Sequence, residues 1–354
     1  MSEDDRTYSQ VVNDLSKASI PIRELRGKGS VAVTLAAGRI VALAFSQSGP
    51  NLLWTNPELE NAAMSEKLIG GIGGDRLWFS PELHYHWTGK PDWEGLHNYQ
   101  IPSTEDPGNY AFLSTGPDAI ALGAEGRLPV RGTDQYVGFC VKRTIRMVSP
   151  PISVNDPRMR DVDYVGIKTI HDLRIDDGTR AGEIDLWHLL QTPVNSILIV
   201  PLRPGHKSGV LSYGLPGSWR TNPDSIIWRF KGNENAKIGI AAEALTGRSA
   251  LLRKLCPDRW CLLVREFPAD ATARYGDHPE GVFREDQVFQ AWDGLGFGEM
   301  EYHSPLLNAE HGPRMLRDID QLWALGGSAN AIERLAGALL HVDIQSLLHD
   351  EYKF

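Results

Sequence analysis

The spacing of hydrophobic positions changes period twice along the chain. Tyr8, Val11, Val12 and Leu15 fall at i, i+3, i+4 and i+7, which predicts an amphipathic helical arm over about residues 1–20, ending before Pro21. From Ser30 the period becomes two. Val31, Val33 and Leu35 alternate with small residues, Gly38 interrupts, and Ile40 to Phe45 follows as the second strand of a predicted hairpin. Over residues 137–149, Phe139, Val141, Ile145 and Met147 share one parity while Lys142, Thr144 and Arg146 share the other, with Arg143 the one charge on the apolar side. The same habit recurs at 165–175, 184–191, 196–202, 225–230, 236–242 and 260–267. Helical spacing returns at the end: Ile332, Leu335, Ala336, Leu339 and Leu340 predict a helix over about 330–341, with Asn330 and Glu333 spaced as a capping pair.

Repeated strands bounded by Gly, Pro, Asn and Asp predict a mostly β protein, a sandwich or barrel, with a short helix at each end. No internal repeat or linker divides it, so a single domain over residues 1–354 is expected. The stretch 81–136 stands apart. It is rich in Gly, Pro, His and aromatic residues (Tyr85, Trp87, Trp93, Tyr99, Tyr110, Phe112) and has little periodicity, which predicts an ordered loop lying over something.

Composition agrees with this reading, since 35 glycines and 22 prolines exceed the usual turn-former share of about 12% and argue against a helical bundle. Charge narrows the partners. Forty-five acidic against 36 basic residues leave a formal charge of −9, which disfavours a nucleic-acid partner because such binding rests on neutralising phosphates. Cys140, Cys256 and Cys261 fit neither a zinc knuckle nor a redox pair and read as reduced thiols. The polar, acidic start and the lack of any apolar run approaching about 18 residues predict a cytoplasmic protein without a membrane partner.

Four stretches carry candidate chemistry. Gly70 to Gly74 lacks the Gly-Lys-Ser/Thr ending and the spacing of a phosphate loop, but it leads into Asp75, Arg76, Trp78 and Glu82. A guanidinium suits paired hydroxyls or a carboxylate, and an indole suits the face of a sugar ring; the alternative is that Arg76 bridges a buried carboxylate and Trp78 is core. His84 and His86 would project to one side if extended, and with His97 they form a candidate divalent-metal, proton-transfer or substrate-contact set, or simply a solvated loop. Along 183–191, His188 shares a face with Ile184, Leu186 and Leu190, so it is either a core histidine or a catalyst, while Gln191 lies on the other face. In 298–305, Glu299, Glu301 and His303 share one face. Neighbouring carboxylates there suit general-base work, unless the face is merely solvated.

Two stretches together resemble a known family. Ala37-Gly38-Arg39-Ile40-Val41-Ala42-Leu43, followed by Pro50-Asn51-Leu52-Leu53-Trp54, resembles the opening hairpin of the aldose 1-epimerase (galactose mutarotase) superfamily. Gly73-Gly74-Asp75-Arg76-Leu77-Trp78 is similar to a segment of its bacterial members, with weaker likeness through 187–193 and 299–305. The resemblance implies a β-supersandwich with a sugar-sized cleft, no required cofactor, and a His acid working with a late Glu base. On that basis His188 matches the acid, and Glu301 or Glu299 the base. Asp75, Arg76, Trp78, Glu82, His84, His86, Gln191 and His303 would contact a monosaccharide or sugar acid. The chain departs from the family where His-Tyr-Phe-Asn would be expected, carrying Trp187-His188-Leu189-Leu190-Gln191 instead. Two other functions fit the same cleft: metal-assisted elimination or isomerisation of an oxidised sugar, and sugar binding without catalysis.

Overall fold

Alternating side chains produce two sheets that share one apolar interior. In the computed structural model, residues 6–59, 71–92, 97–205, 210–213, 217–276 and 286–349 are described. Gly70 and Trp93 lie outside them. The first sheet runs, in order, Ile22–Arg26, Ser30–Thr34, Ile40–Ala44, Asp75–Ser80, Glu183–Pro193, Phe297–His303, Gln287–Gly294, Ala236–Ala241 and Val210–Tyr213, with Leu307–Asn308 added beside Glu183–Pro193. The second runs Trp219–Thr221, Ser225–Arg229, Ile197–Pro201, Arg248–Cys256, Arg259–Glu266, Met315–Gly327, Asp163–Ile175, Tyr136–Met147, Ala119–Pro129 and Ala111–Thr115. The strand pairings are antiparallel throughout.

Leu77, Phe79, Leu186, Leu190, Met300 and Tyr302 of the first sheet meet Val141, Ile167, Leu173 and Leu263 of the second in the main core. Residues of the opposite parity on those first-sheet strands therefore face away from the second sheet. Both faces of Glu183–Pro193 are nonetheless buried, so its outer side is covered as well.

The helices sit outside the sandwich. Tyr8–Lys17 begins in a capping box between Thr7 and Gln10 and presses Tyr8, Val11 and Leu15 onto Ala32, Val41 and Ala42. Ala329–Leu340 buries Ile332, Leu335 and Leu339 against Ile199, Leu252 and Leu262 on the outer side of the second sheet. Its cap is Ser328, whose hydroxyl accepts from the Ala331 N–H, rather than Asn330. The predicted irregular stretch is corrected in its second half, where Ala111–Thr115 and Ala119–Pro129 form a hairpin. Among its described residues the first half is irregular apart from two short helical segments, Glu82–Tyr85 and Thr104–Gly108. Among the described residues no helix is long and apolar enough to cross a membrane.

The double glycine before Asp75 has a packing explanation. Gly73 and Gly74 hold φ of +96° and +89°, and a Cβ on them would lie 2.3 Å from the Trp54 carbonyl oxygen and 2.4 Å from that of Ile40. The glycines thus seat the strand Asp75–Ser80 against its neighbours and fix where Arg76 and Trp78 emerge.

Candidate functional site

Register determines which side chains meet on the outer face of the first sheet. Trp78 pairs with Trp187, Glu299 with Gln191, Glu301 with Gln290, and His303 with Trp187, so the three central strands project Arg76, Trp78, Trp187, Gln191, Glu299, Glu301 and His303 to the same side. Lys237 joins them from Ala236–Ala241.

Two carboxylates are anchored there by two cations. Arg76 Nη2 donates to Glu299 Oε1 at 2.9 Å and its guanidinium lies 3.6 Å from the centre of the Trp78 ring. Burial pushes the Glu299 carboxyl up to about 7; Arg76 opposes this and the neighbouring Glu301 adds to it. Glu301 Oε2 accepts from Trp187 Nε1 at 2.8 Å and pairs with Lys237 Nζ at 3.0 Å. Its other oxygen, Oε1, is buried without a hydrogen-bond partner.

His303 shows the same pattern of one tethered atom and one open atom. Nδ1 faces Asp185 Oδ1 at 3.4 Å and Ser80 Oγ at 3.3 Å, while Asp185 also accepts from the Gly276 N–H at 2.7 Å and from Ser80. Nε2 is buried without a partner. The ring stacks on Trp187 at 5.7 Å, and the same indole holds Glu301. One tryptophan therefore positions both groups.

The irregular segment after Pro81 covers this face. Ile101 packs against the cluster of Trp78, Trp187 and Leu189, Trp78 Nε1 donates to Asp106 at 3.1 Å, and His86 stacks on Trp187 at 5.9 Å. Glu82 is buried and receives the Tyr99 hydroxyl.

Three sequence expectations are corrected. His188 is on the inter-sheet side, fully buried and stacked 4.0 Å from Tyr302, so the sheet separates it from Glu299 and Glu301. Asp75 also points inward, where it accepts from Arg265 Nη2 at 3.0 Å and Arg143 Nη2 at 3.1 Å rather than facing a substrate. The set His84, His86 and His97 is not brought together. His84 and His86 fall on and just after a helical turn instead of an extended strand; His84 is exposed, both nitrogens of His86 are occupied by Tyr99 and Glu105, and His97 is exposed beside Asp92. No sequence signal short of strand pairing connected Lys237 or Asp185 to this site.

A cavity of about 660 Å³ opens elsewhere, among Trp54, Thr55, Asn195, Arg253 and Trp260. The carboxylates and His303 do not line it, and their chemistry belongs to the covered face.

No protein-family model and no curated protein matches the sequence. Solved structures do. The chain is similar to a galactose mutarotase-like protein from Lactobacillus casei (10% identity, 86% of this chain and 100% of that one, TM-score 0.49). It is similar also to a galactose mutarotase related enzyme from Lactobacillus acidophilus (8% identity, 87% and 98%, TM-score 0.46). A third is galactose 1-epimerase from Lactobacillus acidophilus (9% identity, 86% and 94%, TM-score 0.40).

Proposed function

We propose that the protein is an acid–base enzyme acting on a small sugar, an aldose 1-epimerase-like isomerase in which Glu301 is the base and His303 the acid. The observation that carries this reading is the pair of buried, unpartnered atoms, Glu301 Oε1 and His303 Nε2, two residues apart on one strand face. Each belongs to a side chain whose other polar atom is already held. A pair so arranged exchanges protons with two oxygens of one bound molecule.

In the proposed reaction Glu301 takes the proton of the anomeric hydroxyl while the His303 imidazolium protonates the ring oxygen. The bond between the anomeric carbon and that oxygen breaks, the open-chain aldehyde forms, and rotation followed by the reverse transfers closes the ring on either face. Asp185, accepting from Nδ1, orients the ring so that Nε2 is the atom that transfers the proton. Arg76 and Trp78 orient the sugar, and Gln191 steadies Glu299. The acid is thus assigned to His303 in place of His188. No step uses a cofactor.

Saturation-transfer NMR of anomeric exchange on a panel of aldoses tests the proposal. Wild-type exchange above the buffer rate on at least one sugar, lost in E301Q and H303Q, supports it. Exchange no faster than buffer on every sugar removes the epimerase reading. Ligand-induced thermal stabilisation without turnover would then identify a sugar-binding protein.

A further inference from the structure

The inter-sheet side of the same three strands holds a second polar cluster that the proposed reaction does not use. Asp75, Arg143, His171, His188, Arg265, Asp318 and Asp320 are each no more than 2% exposed. Arg265 bridges Asp75, at 3.0 Å, and Asp320 Oδ2, at 3.2 Å; His171 Nε2 lies 3.2 Å from Asp320 Oδ1; and Tyr302 donates to Asp318 Oδ2 at 2.7 Å. His188 Nε2 lies 3.3 Å from Asp318 Oδ2, yet neither of its ring nitrogens has an aligned hydrogen-bond partner, and His171 Nδ1 is unpartnered too.

Hydrogen bonding defines what is missing. Both ring nitrogens of His188 and Nδ1 of His171 are buried without a hydrogen-bond partner, which is costly for polar atoms cut off from water. One ion shared by the two imidazoles gives each ring a partner. The ligating atoms of His171, His188 and Asp320 already lie within 4.8 Å of one another, and ligand bonds of about 2.0–2.2 Å require them to close by about an ångström.

We propose that His171, His188 and Asp320, with Asp318 beside them, hold a divalent transition-metal ion that ties the two sheets together. His188 comes from the first sheet and the other three from the second. Mixed imidazole and carboxylate donors select zinc or a similar ion over calcium or magnesium. The role is structural, because the ion would lie across the sheet from Glu301 and His303.

The test titrates Co²⁺ into the full chain after chelation and dialysis. The expected result is a visible d–d band saturating at one ion per chain, together with a thermal midpoint that rises by about 3 °C or more at hundredfold excess over the dissociation constant. The exposed-site control H84N/H97N keeps the band. H188Q loses it, and because that substitution also removes the ring stacked on Tyr302, zinc X-ray absorption on the wild-type chain gives the independent readout of two imidazole ligands. Absence of the band and of the thermal shift overturns the proposal, as does loss of the band in H84N/H97N. Long-range proton–nitrogen spectra showing both nitrogens of His171 protonated in chain treated with zinc would leave that ring no lone pair for a metal and also overturn it.

Discussion

The strands Asp75–Ser80, Glu183–Pro193 and Phe297–His303 carry polar clusters on both faces, and the two clusters are built differently. On the inner face, Asp75 of the first sheet bonds across the gap to Arg143 and Arg265 of the second, and Arg265 bonds on to Asp320. On the outer face, Glu301 and His303 are each held at one atom and open at the other. Ion pairs from sheet to sheet bind the sandwich together, whereas the anchored carboxylate and imidazole of the outer face keep an atom that can act on something else. Alternation assigns adjacent residues to opposite tasks: Asp75 and Arg76, His188 and Trp187, Tyr302 and Glu301.

Substitutions that separate the two faces test this contrast, and the largest effect is expected at Glu301. E301Q keeps the shape and removes the base, so anomeric exchange should fall about 10²–10⁴-fold with little change in urea midpoint. Next is Asp75→Asn, which leaves Arg143 and Arg265 without a shared carboxylate. A loss of about 3–5 kcal/mol in urea unfolding is expected, with the turnover of folded molecules preserved. The two histidines should respond oppositely. H303Q should lower kcat and spare stability, and H188Q should lower stability and spare kcat; the reverse pattern would reassign the faces.

A smaller effect concerns pH. As pH falls through about 7, Glu299 takes a proton and Arg76 loses its counter-charge, so exchange should decline below that pH and level off above it. The stability contribution has the opposite sense. A carboxyl raised from 4.5 to about 7 binds its proton more tightly in the folded chain, so its contribution is full below about 4.5 and is lost as pH rises through about 7. Smallest is Arg76→Lys, which keeps the charge but loses the planar contact with Trp78. A rise in KM of about 3–10-fold is expected, with kcat nearly unchanged.

The sandwich was legible where apolar residues alternate, as at Val141 and Ile145 or Ile184 and Leu186. It was not legible along Met315–Gly327, because there the pattern is inverted: Asp318 and Asp320 point inward while Met315 and Ile319 are exposed. Inward carboxylates are sensible only once Arg265, His171 and Tyr302 arrive from three other strands. The shared face of Glu299, Glu301 and His303 followed from parity alone. Their partners did not, since Lys237 and Asp185 are joined to them only by strand order. Positional matching to a family's central histidine selected His188, although its parity with Leu186 and Leu190 already placed it on the core side. The helical turn at Glu82–Tyr85 likewise separated a His-x-His pair that an extended chain would have aligned.

The central claim is that Glu301 and His303 form one proton-transfer pair on the covered face. The measurement that tests it most directly is anomeric exchange by saturation-transfer NMR on the responsive aldose, comparing wild type, E301Q, H303Q and the double variant. The account predicts that each single variant abolishes most of the enhancement and that the double variant is hardly worse than either, as for residues acting as a unit. Full exchange retained in H303Q, with loss instead in a folded H188Q, would contradict it.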